Sequence, residues 1–308
     1  MPALIPPDLP AYERLRQENI PVIAKESQKA KIKQLPRLNF LILNLMPTKI
    51  KTECQLIRLL SSTSYVVNVD LLHPASYKPK NVDSAHMEKF YTSFAEIEAE
   101  NFDGMIITGA PVEHLEFEEV DYWRELQQII DWSYENIIST LFICWGAQAA
   151  LYHHYGIDKH PLDNKLFGVF SHQIRDKNEP LLQGFNDEIL IPHSRHTRVK
   201  IEDIEEHQEL KKLIYSDKAG LHLAARRDKR QIFQTGHFEY DADTLQQEYK
   251  RDRHKGLDIK IPENYFPDDD PGQKPRLKWR AHGQLFYNNW LDLIHARKNA
   301  GLLSQISG

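Results

Sequence analysis

The residue best placed to do covalent chemistry is Cys144. In Thr140-Leu-Phe-Ile-Cys-Trp-Gly-Ala-Gln-Ala-Ala-Leu151 an apolar run of strand character ends at the cysteine, and a helix-forming run starts at once. A strand–turn–helix junction of this kind exposes a nucleophile at the sheet edge. The helix N-terminus behind the sulfur supplies free N–H groups and partial positive charge, which favour the reactive thiolate. The N–H of Trp145 is a candidate oxyanion donor. The same run would also suit an inert buried cysteine, so the reading needs a partner. A thiolate nucleophile works with a base, and the base with an orienting group. Among 15 histidines the best candidate lies in Thr235-Gly-His-Phe-Glu-Tyr240. His237 and Glu239 are two apart, so in extended chain both project to one side and the carboxylate can fix the imidazole tautomer. The alternative is a surface pair at a strand end.

Such a pair must be held by strands whose ends meet. Apolar runs at 38–46, 65–72, 104–108 and 140–144 read as strands. Between them, 52–61, 85–100 and 120–138 read as helices; Met87, Phe90, Phe94 and Ile97 recur at helical spacing in the second. Alternation of this kind predicts an α/β fold, a doubly wound, mostly parallel sheet with helices on both faces. The second half is richer in strands, at 166–174, 189–191, 220–225 and 231–235, with helices at 243–255 and 284–297. The Pro- and Asp-rich stretch 264–276 reads as a loop. No repeat or linker divides the chain, so residues 1–308 are expected to form a single domain with its core at about 36–290.

Composition narrows the function. A net charge of −5 gives no basic excess, which argues against nucleic acid as a partner. The apolar runs fall far short of the ~20 residues that span a bilayer. The first 20 residues lack a basic segment followed by a long apolar one, so no signal peptide and no membrane partner are expected. Two cysteines, Cys54 and Cys144, make no disulfide framework and point to a reducing, cytoplasmic setting. Cys54 reads as a packing residue. His153-His154 and His193-x-x-His196 raise the question of a metal, but HExxH and CxxC are missing and no metal site is expected.

A Cys-x-Gly-x-Gln elbow followed by His-x-Glu resembles class I glutamine amidotransferases. Further segments bring a closer likeness. Asn44-Leu-Met-Pro-Thr-Lys-Ile-Lys-Thr-Glu53, Thr108-Gly-Ala-Pro111, Phe117-Glu-Glu-Val-Asp-Tyr-Trp123, Pro192-His-Ser-Arg195, Glu248-Tyr-Lys-Arg-Asp252 and Asn264-Tyr-Phe-Pro267 resemble, in order, the homoserine O-acyltransferase family. That family has the amidotransferase-like fold but moves an acyl group from a CoA thioester to an amino-acid hydroxyl. The resemblance implies Cys144 as acylated nucleophile, His237 as base and Glu239 as its orienter. It implies Lys49 in the active site near the thioester, with backbone donors around Trp145 and the 45–49 loop for the oxyanion. It implies that Lys165, Ser194 and Arg251 hold the amino acid, and Arg and Lys do suit an α-carboxylate.

Glu113 matches the position that separates acetyl from succinyl users. A carboxylate about 4 Å from the succinyl carboxylate would repel it by about 1 kcal/mol in water, or about 4 at an effective dielectric of 20. Acetyl-CoA is therefore the expected donor, a co-substrate rather than a cofactor, and L-homoserine the expected acceptor. Phe238 stands where the family usually has proline. A bulky ring beside the base would reshape the acceptor pocket, which keeps L-serine, one methylene shorter, as an alternative. Succinyl-CoA as donor, a glutaminase and a non-enzymatic binding module are the other readings. A homodimer is a family expectation only.

Overall fold

A computed structural model describes residues 1–27, 34–76 and 84–306, with side chains as far as Gly301. The predicted strands form as β3 (Arg37–Leu43), β4 (Val66–Leu72), β6 (Gly104–Ile107) and β7 (Ser139–Ile143). They lie in parallel, in the order β4-β3-β6-β7, and β12 (Gln231–Gln234) continues the parallel set beside β7. Side chains alternate across the sheet. Phe40 and Ile42 face one core, with Leu56 and Leu60 of helix α2 (Lys49–Leu60) and Phe286 and Trp290 of α9 (Arg280–Ile306). Leu41 and Leu43 face the other, with Leu126 and Ile130 of α5 (Trp123–Asn136) and Ala150 of α6 (Trp145–Tyr155). Strands apolar on both faces need cover on both, so the doubly wound expectation holds.

From β12 the sheet turns antiparallel through β11 (Gly220–Arg226), β10 (Leu210–Ser216), β8 (His160–Ile174) and β9 (Glu188–Arg198). Helix α7 (Ile201–Glu206) links β9 to β10. β10 escapes the sequence reading because paired Lys211 and Lys212 interrupt its apolar pattern. So do β1 (Ala3–Ile5) and β2 (Val22–Ala24), three-residue strands on the far edge beside β4, with helix α1 (Pro10–Gln17) between them in the chain.

The helix expected over 85–100 is two. α3 (Ser84–Phe90) ends at β5 (Tyr91–Thr92), which pairs with Leu71 and Leu72, and α4 (Phe94–Ile97) restarts beyond. Ser93 and Glu96 form a capping box that defines the new start. The Tyr91 hydroxyl donates to buried Glu53 at 2.6 Å and accepts from Asn44 Nδ2 at 2.8 Å, which fixes the break. Among the described residues no helix is long and apolar enough to cross a membrane.

Candidate active site

Four parallel strands, β3, β6, β7 and β12, deliver their C-terminal ends to one edge, where open α/β sheets place their sites. Cys144 follows β7 directly. Its backbone has φ 52° and ψ −116°, a strained conformation for a side chain with Cβ, of order 1–3 kcal/mol. Two features hold it there. Cys144 N–H donates to Gln234 O at 2.6 Å, and Gly146 lets α6 start against β6, since a Cβ there would sit 2.6 Å from Thr108 O. The elbow is therefore built by the neighbouring strand end as much as by its own residues. As the first residue of α6, Trp145 offers an N–H with no acceptor inside its helix.

His237 and Glu239 follow β12. The expected side-by-side carboxylate is present, with Nδ1 2.6 Å from Glu239 Oε1. The geometric reason differs, however. Residues 235–240 form a turn beyond the strand rather than extended chain. Its fixing points are outside it: Gln234 Nε2 donates to Glu239 Oε2 at 3.3 Å, and Arg58, Arg280 and Arg14 converge on Asp241 at 2.8, 3.0 and 3.3 Å. The imidazole lies flat on Tyr240, centroids 4.0 Å apart. Its Nε2 is buried and makes no hydrogen bond of good geometry, though Cys144 is near enough to act on its charge. Burial works to lower the pKa of His237, but Glu239 and Cys144 outweigh it and raise it to about 10. An imidazole that keeps its proton at neutral pH is the partner a thiolate nucleophile needs.

Beside the nucleophile lies a cavity of about 200 Å³ lined by Cys144, His237, Glu113, Lys165, Ser194 and Arg251, among others. All of these were expected at the site. Lys165 sits where β8 slips register against β9, between Pro161 and Leu166. Glu113 is held by His196 N–H at 3.1 Å and Thr197 Oγ1 at 3.2 Å, so it is not the loose loop acid that its acid-rich surroundings allow.

The residue that ties the cavity together is Glu248, on α8 (Thr244–His254). It accepts from Ser194 Oγ at 2.5 Å, Lys165 Nζ at 3.5 Å and the Tyr240 hydroxyl at 3.4 Å. Glu248 opens one of the segments that resemble the family, yet sequence reasoning gave it no role. Its spacing of three and four from Arg251 and Asp252, which places all three on one helix face, was the available signal.

Two expectations need correction. Lys49 lines neither this cavity nor its neighbour; its buried ammonium hydrogen-bonds the Asn44 carbonyl beside Tyr91, and burial lowers its pKa to about 8. The N–H groups of Leu45 and Met46 are likewise engaged, by Thr108 Oγ1 and Asn44 Oδ1. Phe238 does not face the acceptor cavity either. Its fully buried ring packs against His222 and Phe286, at 4.6 and 5.5 Å. His193 and His196 part company: His193 stacks on His172 in the core, and His196 packs at a tilt against His114. Cys54 is buried in α2, and burial pushes its thiol up to about 11.

A second cavity, of about 330 Å³, adjoins the first, sharing Met46, His237, Tyr240, Glu248 and Arg251 with it, and is lined further by Thr52, Leu56 and Gln247.

Comparison with known proteins bears on the fold and the family. Solved structures of a glutamine amidotransferase from Thermotoga maritima (12% identical, TM-score 0.55, covering 83% of this chain and 98% of that one) and of a GMP synthase component from Thermoplasma acidophilum (12%, TM-score 0.53, 86% and 97%) share the fold. Curated relatives named homoserine O-acetyltransferase are far more similar in sequence. One from Geobacillus kaustophilus is 56% identical and one from Bacillus cereus 53%, each over 95% of this chain and 96% of the relative. The profile of the homoserine O-succinyltransferase family matches residues 2–300. With that span and those identities, this chain belongs to the homoserine O-succinyltransferase family and is an acyltransferase.

Proposed function

We propose that the protein transfers an acetyl group from acetyl-CoA to the hydroxyl of L-homoserine through a thioester on Cys144. The observation that carries this reading is the meeting of Cys144, the His237–Glu239 pair and a charged amino-acid cavity at one sheet edge. The thiolate attacks the acetyl carbonyl, and the Trp145 N–H steadies the oxyanion. The intermediate collapses, the C–S bond to CoA breaks, and the imidazolium of His237 gives its proton to the departing thiolate. L-Homoserine then enters with its carboxylate toward Arg251 and Lys165 and its ammonium toward Glu248. His237 Nε2 takes the γ-hydroxyl proton, the oxygen attacks the thioester, and O-acetyl-L-homoserine leaves as the thiolate re-forms. The second cavity, largely apolar around Met46 and Leu56, suits the uncharged arm of CoA.

Glu113 supports acetyl over succinyl, since its carboxylate is fixed in the cavity that holds the nucleophile. Phe238 points into the core, which removes the motive for preferring L-serine. Two free thiols fit a reducing compartment, and we place the enzyme in the cytoplasm. The test is CoA release by purified protein with acetyl- or succinyl-CoA and L-homoserine or L-serine. Release dependent on acetyl-CoA and homoserine supports the reading; equal or greater release with serine would overturn the acceptor assignment.

A further inference from the structure

His153 and His154 lie in the last turn of α6, and neighbouring residues on a helix do not ordinarily face one target. Here they do. Both Nε2 atoms lie 2.8 Å from the same oxygen, Oδ1 of Asp131 on α5. The outer ring nitrogens are also held: Gln127 Nε2 is 3.2 Å from His153 Nδ1, and Gln231 Nε2 is 2.7 Å from His154 Nδ1. Two imidazoles and a carboxylate converge, and each ring is oriented from behind by an amide. We infer that Asp131, His153 and His154 bind a divalent transition ion of the zinc class.

The chemistry fits. Neutral imidazole and carboxylate are zinc ligands, at about 2.0–2.2 Å. Tetrahedral bonds of that length separate ligand atoms by about 3.3 Å. The ligand atoms already lie within 4.8 Å of one another, and the 2.8 Å pairs need to spread by only about 0.5 Å. The exposed carboxylate of Asp131 can supply that by moving against the two half-buried imidazoles. Metal on Nε2 requires the proton on Nδ1, and a histidine ligand usually donates that N–H to a second partner. Rotating the amides of Gln127 and Gln231 presents their carbonyls for it. The Tyr155 hydroxyl, now 2.5 Å from Gln231 Oε1, can accept from the rotated amide as readily as it donates. An open fourth position is left to water.

The site is not part of the acyl-transfer machinery. It sits at the opposite end of α6 from Cys144, roughly 15 Å along the helix. It joins α5, the end of α6 and Gln231 at the start of β12, so an ion there ties together the far ends of the elements that carry the nucleophile and the base. A ligand that binds only the folded chain raises its stability by mass action.

The experiment uses full-length protein carrying Cys144→Ala, so that the thiol does not compete, stripped with a chelator and titrated with zinc ion. The expected result is one ion per chain, a Tm raised by a few degrees at about a hundred times Kd, and tetrahedral absorption when cobalt(II) is the probe. Asp131→Asn and His153→Gln should each weaken binding by more than about tenfold, and Gln127→Ala, at the rim, by about tenfold. Asp131→Asn with Cys144 intact should keep its acyl-transfer rate. Zinc affinity unchanged by all three substitutions, or a Tm indifferent to zinc, would overturn the assignment.

Discussion

Removing the charge of Glu248 should cripple acceptor binding and spare the first half-reaction. Glu248→Gln keeps the shape of the side chain and loses its negative charge. In the free protein that charge is balanced by Lys165 at 3.5 Å and takes a 2.5 Å bond from Ser194. In the proposed complex it also faces the ammonium of homoserine. Two unit charges about 4 Å apart at an effective dielectric of 20 attract by about 4 kcal/mol, which is a ceiling because water is displaced. A net hydrogen bond to a charged group is worth about 1.5–3 kcal/mol. The lower range corresponds to a rise of about 10- to 150-fold in KM for homoserine. Acylation of Cys144 does not involve the ammonium, so the single-turnover burst of CoA from acetyl-CoA should keep its rate and amplitude. Stopped-flow detection of free thiol measures the burst, and steady-state assays at varied homoserine measure KM. A KM within twofold of the parent, or a lost burst with normal folding, would refute the placement of the amino group.

Glu239→Gln should lower kcat by about 10²–10⁴-fold, the usual reach of a positioned base. It should also change the pH dependence of stability. Because His237 has its pKa raised to about 10, its contribution is fully present below the unfolded value of about 6.5 and is lost as pH rises through about 10. Urea midpoints should therefore fall across that window in the parent and fall less in Glu239→Gln; equal slopes would mean that Glu239 does not hold the proton. Phe238→Leu should cost about 1 kcal/mol of stability and leave the homoserine-to-serine ratio of kcat/KM unchanged within about threefold. A large shift in that ratio would return Phe238 to the pocket. Glu113→Gly should admit succinyl-CoA, read as succinyl-dependent CoA release; no gain would count against the charge argument.

The parallel half of the fold was legible because its strands are apolar on both faces and separated by amphipathic helices. The elbow was legible for a related reason: a strand run, a cysteine and a helix run abut without a spacer. What the sequence hides is what other elements contribute. The His237–Glu239 bond was anticipated from extended geometry, yet a turn makes it, pinned by three arginines on Asp241 from distant helices. Phe238 was placed at the site by its neighbours in sequence, and Lys49 by the family resemblance. Burial turned both away, because a ring finds a core partner in Phe286 and an ammonium finds the Asn44 carbonyl. Glu248 lacked a role because its partners come from β8, β9 and the 235–240 turn, which no local pattern joins.

Every step of the proposed mechanism passes through the acyl-enzyme, and intact-protein mass spectrometry observes it directly. Protein mixed with acetyl-CoA and no acceptor should gain the mass of one acetyl group, mapped to Cys144 and cleared by L-homoserine. Cys144→Ala should show neither the adduct nor turnover. Turnover that survives Cys144→Ala, or an acetyl adduct on another residue that homoserine clears, would contradict the mechanism.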